Sequence, residues 1–194
     1  MKTYALCLVM CLAFTVNGFA QPSMLLPVAV PTLAKKSPAE IESLLGKPHK
    51  RIKLREKSKF MTFETDETMS YKTAVGMLGI YFLQESAIAF SHSYRGNKQP
   101  ADYDAALAEL GIDVNQRRPG IFPSDTQQVP RLPEPLKLGD QVIARWQGDF
   151  GGVRWERIEL HAFIDRYEPL LGKTPKTKIY QFFAVVGGPR LIWR

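Results

Sequence analysis

The sequence predicts an α+β protein whose sheets are antiparallel. Three observations support this prediction. A capped helix opens the regular part of the chain at Ser37, several segments with strand-like alternation follow it, and a segment with helical spacing ends at Gly111. Runs of strands with few helices favour antiparallel sheets over a doubly wound fold. We therefore expect a helix, an antiparallel sheet and a helix in the first half, followed by a β-rich antiparallel second half.

Capping residues and apolar spacing predict the two helices. In the first, Ser37 supplies a capping hydroxyl, Pro38 suits the first helical position, and Glu40 completes a capping box. The apolar residues before Gly46 are Ile41, Leu44 and Leu45. The second helix is expected over residues 100–110, where the apolar residues at helical spacing are Tyr103, Ala106, Leu107 and Leu110.

The strands are predicted from period-two alternation and from the turn residues between segments. In the first half they are residues 51–55 and 60–63, with a turn at 56–58, and residues 80–83 and 87–94, with a turn at 84–86. In the second half they are residues 141–147, 153–163, 178–186 and 190–193, and the turns between them contain glycine.

The first twenty residues resemble a secretory signal. Lys2 precedes an apolar run from Tyr4 to Val16, and the small-residue ending Gly18-Phe19-Ala20 follows it. This layout predicts cleavage after Ala20 and export to the periplasm or the medium. The apolar run is shorter than the ~20 residues of a spanning helix, and no later segment is apolar enough, so we expect no transmembrane segment in the mature chain.

Both cysteines, Cys7 and Cys11, lie inside that signal-like segment, and neither follows the pattern of a lipoprotein signal. The mature chain is therefore expected to contain no cysteine. This excludes a disulfide, a thiolate nucleophile and a Cys-ligated metal, so the protein must be stabilised by burial of its core. Its composition, 45% hydrophobic and 11% aromatic over 194 residues, supplies enough apolar material.

A change in composition predicts the domain organisation. After the signal at residues 1–20 we expect an extended lead-in over 21–36, an α+β module over 37–118, a proline-rich linker or covering loop over 119–137, and a β-rich module over 138–194. The tryptophans all lie in the last module, which predicts that it has its own aromatic core; they are Trp146, Trp155 and Trp193.

The segment from Lys36 to Pro48, KSPAEIESLLGKP, resembles the opening of the small outer-membrane lipoprotein A and β-lactamase-inhibitor-like group. Modules of that group begin with a capped helix ending in Leu-Gly-x-Pro and continue into an antiparallel sheet. The resemblance implies an envelope protein that binds or scaffolds other proteins without catalysis. This chain departs from the pattern of that group in two ways. The lipid-anchoring cysteine is missing, and the second helix comes after the sheet, whereas in the group it immediately follows the first helix.

The positive charge is concentrated in one window. Without Lys2 the chain has 25 basic and 19 acidic residues, and residues 35–59 hold nine basic and three acidic ones, so this window accounts for the whole excess. The candidate binding residues are Lys50, Arg51, Lys53, Arg55, Lys57 and Lys59. Strand alternation would project Arg51, Lys53 and Arg55 from one face while Ile52 and Leu54 are buried on the other.

Two interpretations of this basic window remain open. Lysines protect the edges of sheets from pairing, so it can be a solvated edge. It can also contact an anionic partner, such as acidic lipid headgroups or an acidic protein face. Nucleic acid is not expected, because the chain is predicted to be exported and has no recognition-helix or RNA-binding signature.

Catalytic residue types are few. The histidines are His49, His92 and His161, and no metal, cofactor or triad motif surrounds them, so we expect no metal and no cofactor.

In the strand 153–163, alternation would place Trp155, Arg157, Glu159 and His161 on one face. Glu159 and His161 could act there as acid and base, although a solvated sheet face has the same pattern. His92 shares a face with Phe90 and Tyr94, which favours a histidine at the edge of the core.

Three functions remain open at this point. The first is an exported, non-catalytic binding or scaffolding protein of the bacterial cell envelope, with an envelope protein as partner. The second is a binder of anionic surfaces through residues 47–59. The third is a hydrolase-type enzyme that uses Glu159 and His161.

Overall fold

The structure, a computed structural model, describes residues 26–60, 63–96, 98–114, 119–123, 141–166 and 176–187. The signal-like segment at 1–20, most of the proline-rich stretch and the strand predicted at 190–193 lie outside these residues. No helix within the described ranges is long and apolar enough to cross a membrane.

Strands form most of the described structure. The helices are α1 (Val30–Leu33), α2 (Pro38–Leu45) and α3 (Tyr103–Glu109). The strands are β1 (Lys50–Phe60), β2 (Phe63–Lys72), β3 (Gly76–Leu83), β4 (Ser86–Tyr94), β5 (Gly120–Pro123), β6 (Gln141–Phe150), β7 (Val153–Arg166) and β8 (Lys176–Val186). The predicted α+β class is therefore wrong, because the fold is mostly antiparallel sheet with short helices.

All eight strands belong to one antiparallel sheet with the order β1-β2-β3-β4-β8-β7-β6-β5. Strands β1 to β4 form one meander, β5 to β8 form a second, and their last strands pair with each other. This seam pairs Ala89 with Val185 at one end and Ser93 with Gln181 at the other. A short helix precedes each meander, α2 before the first and α3 before the second. The sheet thus passes from one half of the sequence into the other without a break.

Helix α2 is capped as the sequence predicts, and helix α3 has a cap that the sequence analysis did not name. The Ser37 hydroxyl accepts a hydrogen bond from the Glu40 backbone N–H, and the Glu40 carboxylate accepts one from the Ser37 backbone. Helix α3 begins later than predicted, with Asp102 as its N-cap accepting from the Ala105 N–H. Both caps satisfy donors that the first turn of a helix leaves unpaired.

One predicted hairpin is confirmed and the other is shifted. Strands β3 and β4 meet at Gln84 and Glu85, whose positive φ values of 51° and 61° suit a tight two-residue connection. In contrast, no turn occurs at residues 56–58, because β1 continues through them to Phe60. The polar residues there coincide with a register irregularity between Lys53 and Ser58.

One hydrophobic core covers the first face of the sheet, the face on which the helices pack, and it includes residues of both meanders. Trp155 of β7 meets Phe90 of β4 edge-to-face with centroids 6.1 Å apart, and Trp146 of β6 meets Tyr103 of α3 at 6.2 Å. The expectation of a separate aromatic core around the tryptophans is therefore wrong, since these two rings pack against residues of the first half.

The N-terminal lead-in also takes part in this core. Instead of an extended segment, residues 30–33 form the single turn α1, and Val30 and Leu33 are fully buried. Pro31 lies against the turn between β6 and β7, where a Cβ on Gly151 would come within 2.9 Å of its ring. Gly151 has a φ of 60°, so both its conformation and the close contact favour glycine.

A shared core predicts that a cavity in the first half destabilises the second half. Replacing Phe90 with Ala removes the partner of the Trp155 ring and should lower the free energy of unfolding by about 3–5 kcal/mol. Because every tryptophan lies beyond residue 140, urea unfolding followed by tryptophan fluorescence reports the second half. The fluorescence midpoint should therefore fall although the substitution lies in β4.

The matched control is Leu44→Ala in α2, whose side chain is already 38% exposed. It should change the free energy of unfolding by no more than about 0.5 kcal/mol. A fluorescence midpoint that Phe90→Ala leaves unchanged would contradict the shared core.

Candidate functional site

The second face of the sheet, opposite the helices, carries a small apolar cluster of its own. Its buried members are Phe63, Ala89, Phe183 and Val185, with Tyr81 and Ile88 packed against them. The Phe63 ring stacks on Phe183 at 5.9 Å and meets Tyr81 edge-to-face at 5.4 Å. This cluster includes no residue of α1, α2 or α3, so the described helices do not pack on the second face.

The polar part of this face lies on β6 and β7. The register pairs Arg145 with Glu159 and Ile143 with His161. A register irregularity between Trp155 and Arg157 turns Trp155 onto the first face, where its indole N–H donates to the Phe150 carbonyl at 3.0 Å. The expectation that Trp155 shares a face with Glu159 is therefore wrong, because a strict period of two fails where an extra residue enters the strand.

Three cationic or titratable side chains surround the carboxylate of Glu159. Oxygen Oε1 accepts from Arg145, with Nη2 at 2.7 Å and Nε at 2.9 Å, and Arg157 Nε lies 3.6 Å from the same oxygen. His161 Nε2 lies 3.4 Å from Oε2. The Glu159 side chain is 3% exposed, so this carboxylate is held in the sheet almost without water.

The electrostatics keep this carboxyl ionised. Burial alone would raise the pKa of Glu159, but the His161 imidazole and the charges of Arg157 and Arg145 together outweigh it, and the pKa lies below its usual value. A carboxylate with a lowered pKa is a poor general base at neutral pH. The geometry therefore suits a charge that orients two arginines better than it suits an acid and base pair with His161.

Aromatic rings line the same region. The Arg157 guanidinium lies over the Phe183 ring, 5.4 Å from its centroid. The Tyr180 ring packs against His161 at 6.1 Å and against Phe163 at 4.7 Å. Phe163 remains 37% exposed, so an apolar surface accompanies the arginines. We call this group the arginine–aromatic patch; its members are Arg145, Arg157, Glu159, His161, Phe163, Tyr180 and Phe183.

Local sequence patterns did not identify Arg145, or the β8 aromatic residues Tyr180 and Phe183, as members of a candidate site. Arg145 belongs to a strand that was predicted correctly, but its contact with Glu159 depends on how β6 and β7 align. The register of a pair is a nonlocal property that no local pattern fixes here. The one available signal was the shared parity of Ile143 and Arg145, which places both on the same face of β6.

The basic window is divided between the two faces of the sheet. Lys50 pairs with Ser70 on the second face, whereas Arg51 pairs with Met69 and Lys53 with Glu67 on the first face. Arg51 hydrogen-bonds Glu67, which raises the pKa of its guanidinium, and it also contacts Glu42 of α2 at 3.4 Å. The side chains of Arg55, Lys57 and Lys59 lie outside the described residues.

The basic window has one of the two features that strand alternation predicts for it. Arg51 and Lys53 do share a face, and Lys53 is 73% exposed, 4.0 Å from Glu67. However, the prediction that Ile52 is buried is wrong, since it is 38% exposed. Because Glu67 and Glu42 balance part of the charge, the described part of this window resembles an ion-paired edge more than an uncompensated basic ridge.

His92 lies on the first face, as expected from its parity with Phe90 and Tyr94, and it is fully buried. Its Nε2 is 2.9 Å from the Thr73 hydroxyl, while Nδ1 has no hydrogen-bond partner among the described residues. Burial lowers the pKa of His92 to about 4. His92 is therefore neutral at pH 7 and belongs to the core; His49, in contrast, is exposed.

The described residues contain no group of three or more His, Cys, Asp or Glu side chains that could hold a metal ion. Comparison with protein-family models, with curated proteins and with solved structures found no match.

Loss of the Glu159 charge should destabilise the sheet. Glu159→Gln leaves Arg145 and Arg157 close together without their shared counter-ion, and we expect the free energy of unfolding to fall by about 3 kcal/mol, because removing one partner of a buried ion pair strands the other charge. Urea denaturation at pH 7 measures this effect. Glu156→Gln on the same strand is the matched control, and a loss of equal size in both variants would contradict the account.

Burial of His92 predicts a loss of stability in mild acid. Because the pKa of His92 is lowered, this imidazole binds a proton below about pH 6.5 in the unfolded chain but only below about pH 4 in the folded chain. Stability contributed by neutral His92 is therefore complete above pH 6.5 and decreases as the pH falls, by about 2 kcal/mol between about pH 7.5 and about pH 5. Denaturation curves of His92→Gln should lack this component, whereas those of His49→Gln should retain it.

Proposed function

We propose that this protein is an exported, non-catalytic binding or scaffolding protein of the bacterial cell envelope, and that it binds its partner through the second face of the sheet. One observation carries the binding part of the proposal. The second face combines an exposed aromatic ring, Phe163, with two arginines oriented by a buried carboxylate. Aromatic and arginine side chains are enriched where protein interfaces gain most of their energy.

The envelope part of the proposal is supported by sequence features. The signal-like layout of residues 1–20 favours export, and residues 36–48 resemble a group of envelope proteins that bind other proteins. The non-catalytic part is supported by Glu159. Its lowered pKa and its two arginine neighbours suit a structural charge, which argues against the hydrolase alternative.

Anionic-surface binding through residues 47–59 receives less support. The described charges at Arg51 and Lys53 are close to Glu67, and Lys50 points from the opposite face of the strand. Exposed basic residues attract an anionic membrane best when they act together on one surface. The second face is therefore the better candidate for a docking surface.

The test is co-purification of crosslinked complexes from the native envelope with two matched variants. Phe163→Ser removes an apolar side chain, 37% exposed, from the second face, and Leu44→Ser removes one, 38% exposed, from helix α2. We expect a partner that the wild type and Leu44→Ser both retain and that Phe163→Ser retains about tenfold less, since an interface anchor contributes more than about 1 kcal/mol. Equal recovery with all three proteins would contradict docking on the second face.

A further inference from the structure

The first residues of strand β2 bend away from β3 and lie over the second face of the sheet. Among the described residues, the ladder between β2 and β3 stops where Glu67 pairs with Phe82. Strict alternation would place Phe63 on the first face with Met69, but Phe63 belongs to the second-face cluster. The strand therefore changes course between these two residues. We call residues Phe63–Asp66 the strap.

The ring contacts of Phe63 show how far the strap reaches. Phe63 stacks on Phe183 of β8 with ring centroids 5.9 Å apart, and it meets Tyr81 of β3 edge-to-face at 5.4 Å. Strands β3 and β4 separate β2 from β8 in the sheet. Neighbouring strands lie about 4.8 Å apart, so a residue in line with β2 would be about 14 Å from β8. The strap therefore crosses over β3 and β4 on the second face.

The strap covers the apolar part of this face. The described helices do not pack there, yet Ala89 of β4 and Phe183 of β8 are buried, and so is Phe63 itself. Phe183 also contacts the Arg157 guanidinium, which lies 5.4 Å from the ring centroid. The covered cluster thus borders the arginine–aromatic patch, which belongs to the proposed docking surface.

Side-chain contacts, in place of a backbone ladder, attach the strap to β3 and to the turn after it. The Thr65 hydroxyl lies 2.8 Å from the Phe82 carbonyl oxygen and 2.9 Å from the Glu67 carbonyl oxygen. The Asp66 carboxylate accepts a hydrogen bond from the Gln84 backbone N–H at 2.8 Å. Segments with few backbone hydrogen bonds to their neighbours open at a lower free-energy cost than the ladders of a core. The strap is therefore suited to open while the sheet stays folded.

The strap remains paired with the end of β1. The register aligns Phe60 with Phe63 and Ser58 with Thr65, and it is irregular between Lys53 and Ser58. Extra residues in one strand of a pair bend that strand. The irregularity therefore marks the place where both strands can change direction together, as a two-stranded ribbon.

We propose that the strap is an autoinhibitory contact, in which Phe63 occupies an apolar seat formed by Tyr81 and Phe183 and lifts from it when the partner docks. This inference rests on the proposed function, since it adds a conformational step to docking on the second face. The seat holds an aromatic ring by one stacked and one edge contact. An aromatic side chain of the partner therefore takes the place of Phe63.

Thiol labelling tests whether the strap opens on its own. Ala89→Cys places a thiol on the second face beneath the strap, and Ala184→Cys places one on the first face; both alanines are fully buried. The background carries Cys7→Ser and Cys11→Ser, so each protein has a single thiol. We expect a maleimide to label Ala89→Cys about tenfold faster than Ala184→Cys in the absence of urea. Equal rates would mean that both sites open only by unfolding of the sheet, which overturns the proposal.

Two further variants loosen the strap. In the Ala89→Cys protein, Phe63→Ala removes the ring from its seat and Thr65→Val removes the hydroxyl at nearly constant size. Each should raise the labelling rate about tenfold, because each removes a contact that exists only in the closed strap. Leu44→Ala in α2 is the matched control and should leave the rate unchanged. If Phe63→Ala and Thr65→Val raise the rate of Ala184→Cys equally, they act by global unfolding and the strap is excluded.

The link to docking is tested by co-purification of crosslinked complexes from the native envelope. Phe63→Ala should recover about threefold more partner than the wild type, because the binding-competent state is populated more often. Equal or lower recovery would overturn autoinhibition. If Phe163→Ser and Leu44→Ser recover the partner equally while Ala89→Cys still labels faster than Ala184→Cys, docking on the second face fails and the local opening of the strap stands.

Discussion

The pairing of β4 with β8 is the constraint on which the rest of the structure depends. It joins two meanders through their last strands, so that eight strands share one sheet and the sheet has two faces. Once Ala89 is aligned with Val185, strand alternation and the register irregularities of the neighbouring strands decide which face each residue occupies. Phe90 and Trp155 then meet beneath the helices, while Phe183 and Glu159 lie on the opposite face.

Glu159 shows how the sheet accommodates a buried charge on its second face. A carboxylate on a central strand loses most of its hydration, and it is tolerated because two arginines compensate its charge. The same contacts fix the arginines in place on a face that carries exposed Phe163. The Glu159 carboxylate, a catalytic candidate in the sequence, is thus better understood as the anchor of two arginines.

Local features of the fold could be predicted from the sequence, and nonlocal ones could not. The capping box at Ser37 and the turn at Gln84 depend on neighbouring residues and formed as expected. Most of strand β2 was not predicted, because its buried positions include the polar residues Thr65 and Glu67, which hide the alternation of apolar and polar residues. The α+β assignment failed because the helices α2 and α3 are only eight and seven residues long, whereas strands make up most of the described structure. The contact between Arg145 and Glu159 depends on strand register, which no local pattern in the sequence fixes.

Amide hydrogen exchange across the β4–β8 seam tests the central claim most directly. If the two meanders form one sheet, the hydrogen-bonded amides of residues 89–93 and 181–185 should exchange only through global unfolding, with the same opening free energy as the core of β3 and of β7. If the seam amides exchange through a much less costly opening while β3 and β7 stay protected, the halves separate on their own, and the continuous sheet described above would be contradicted.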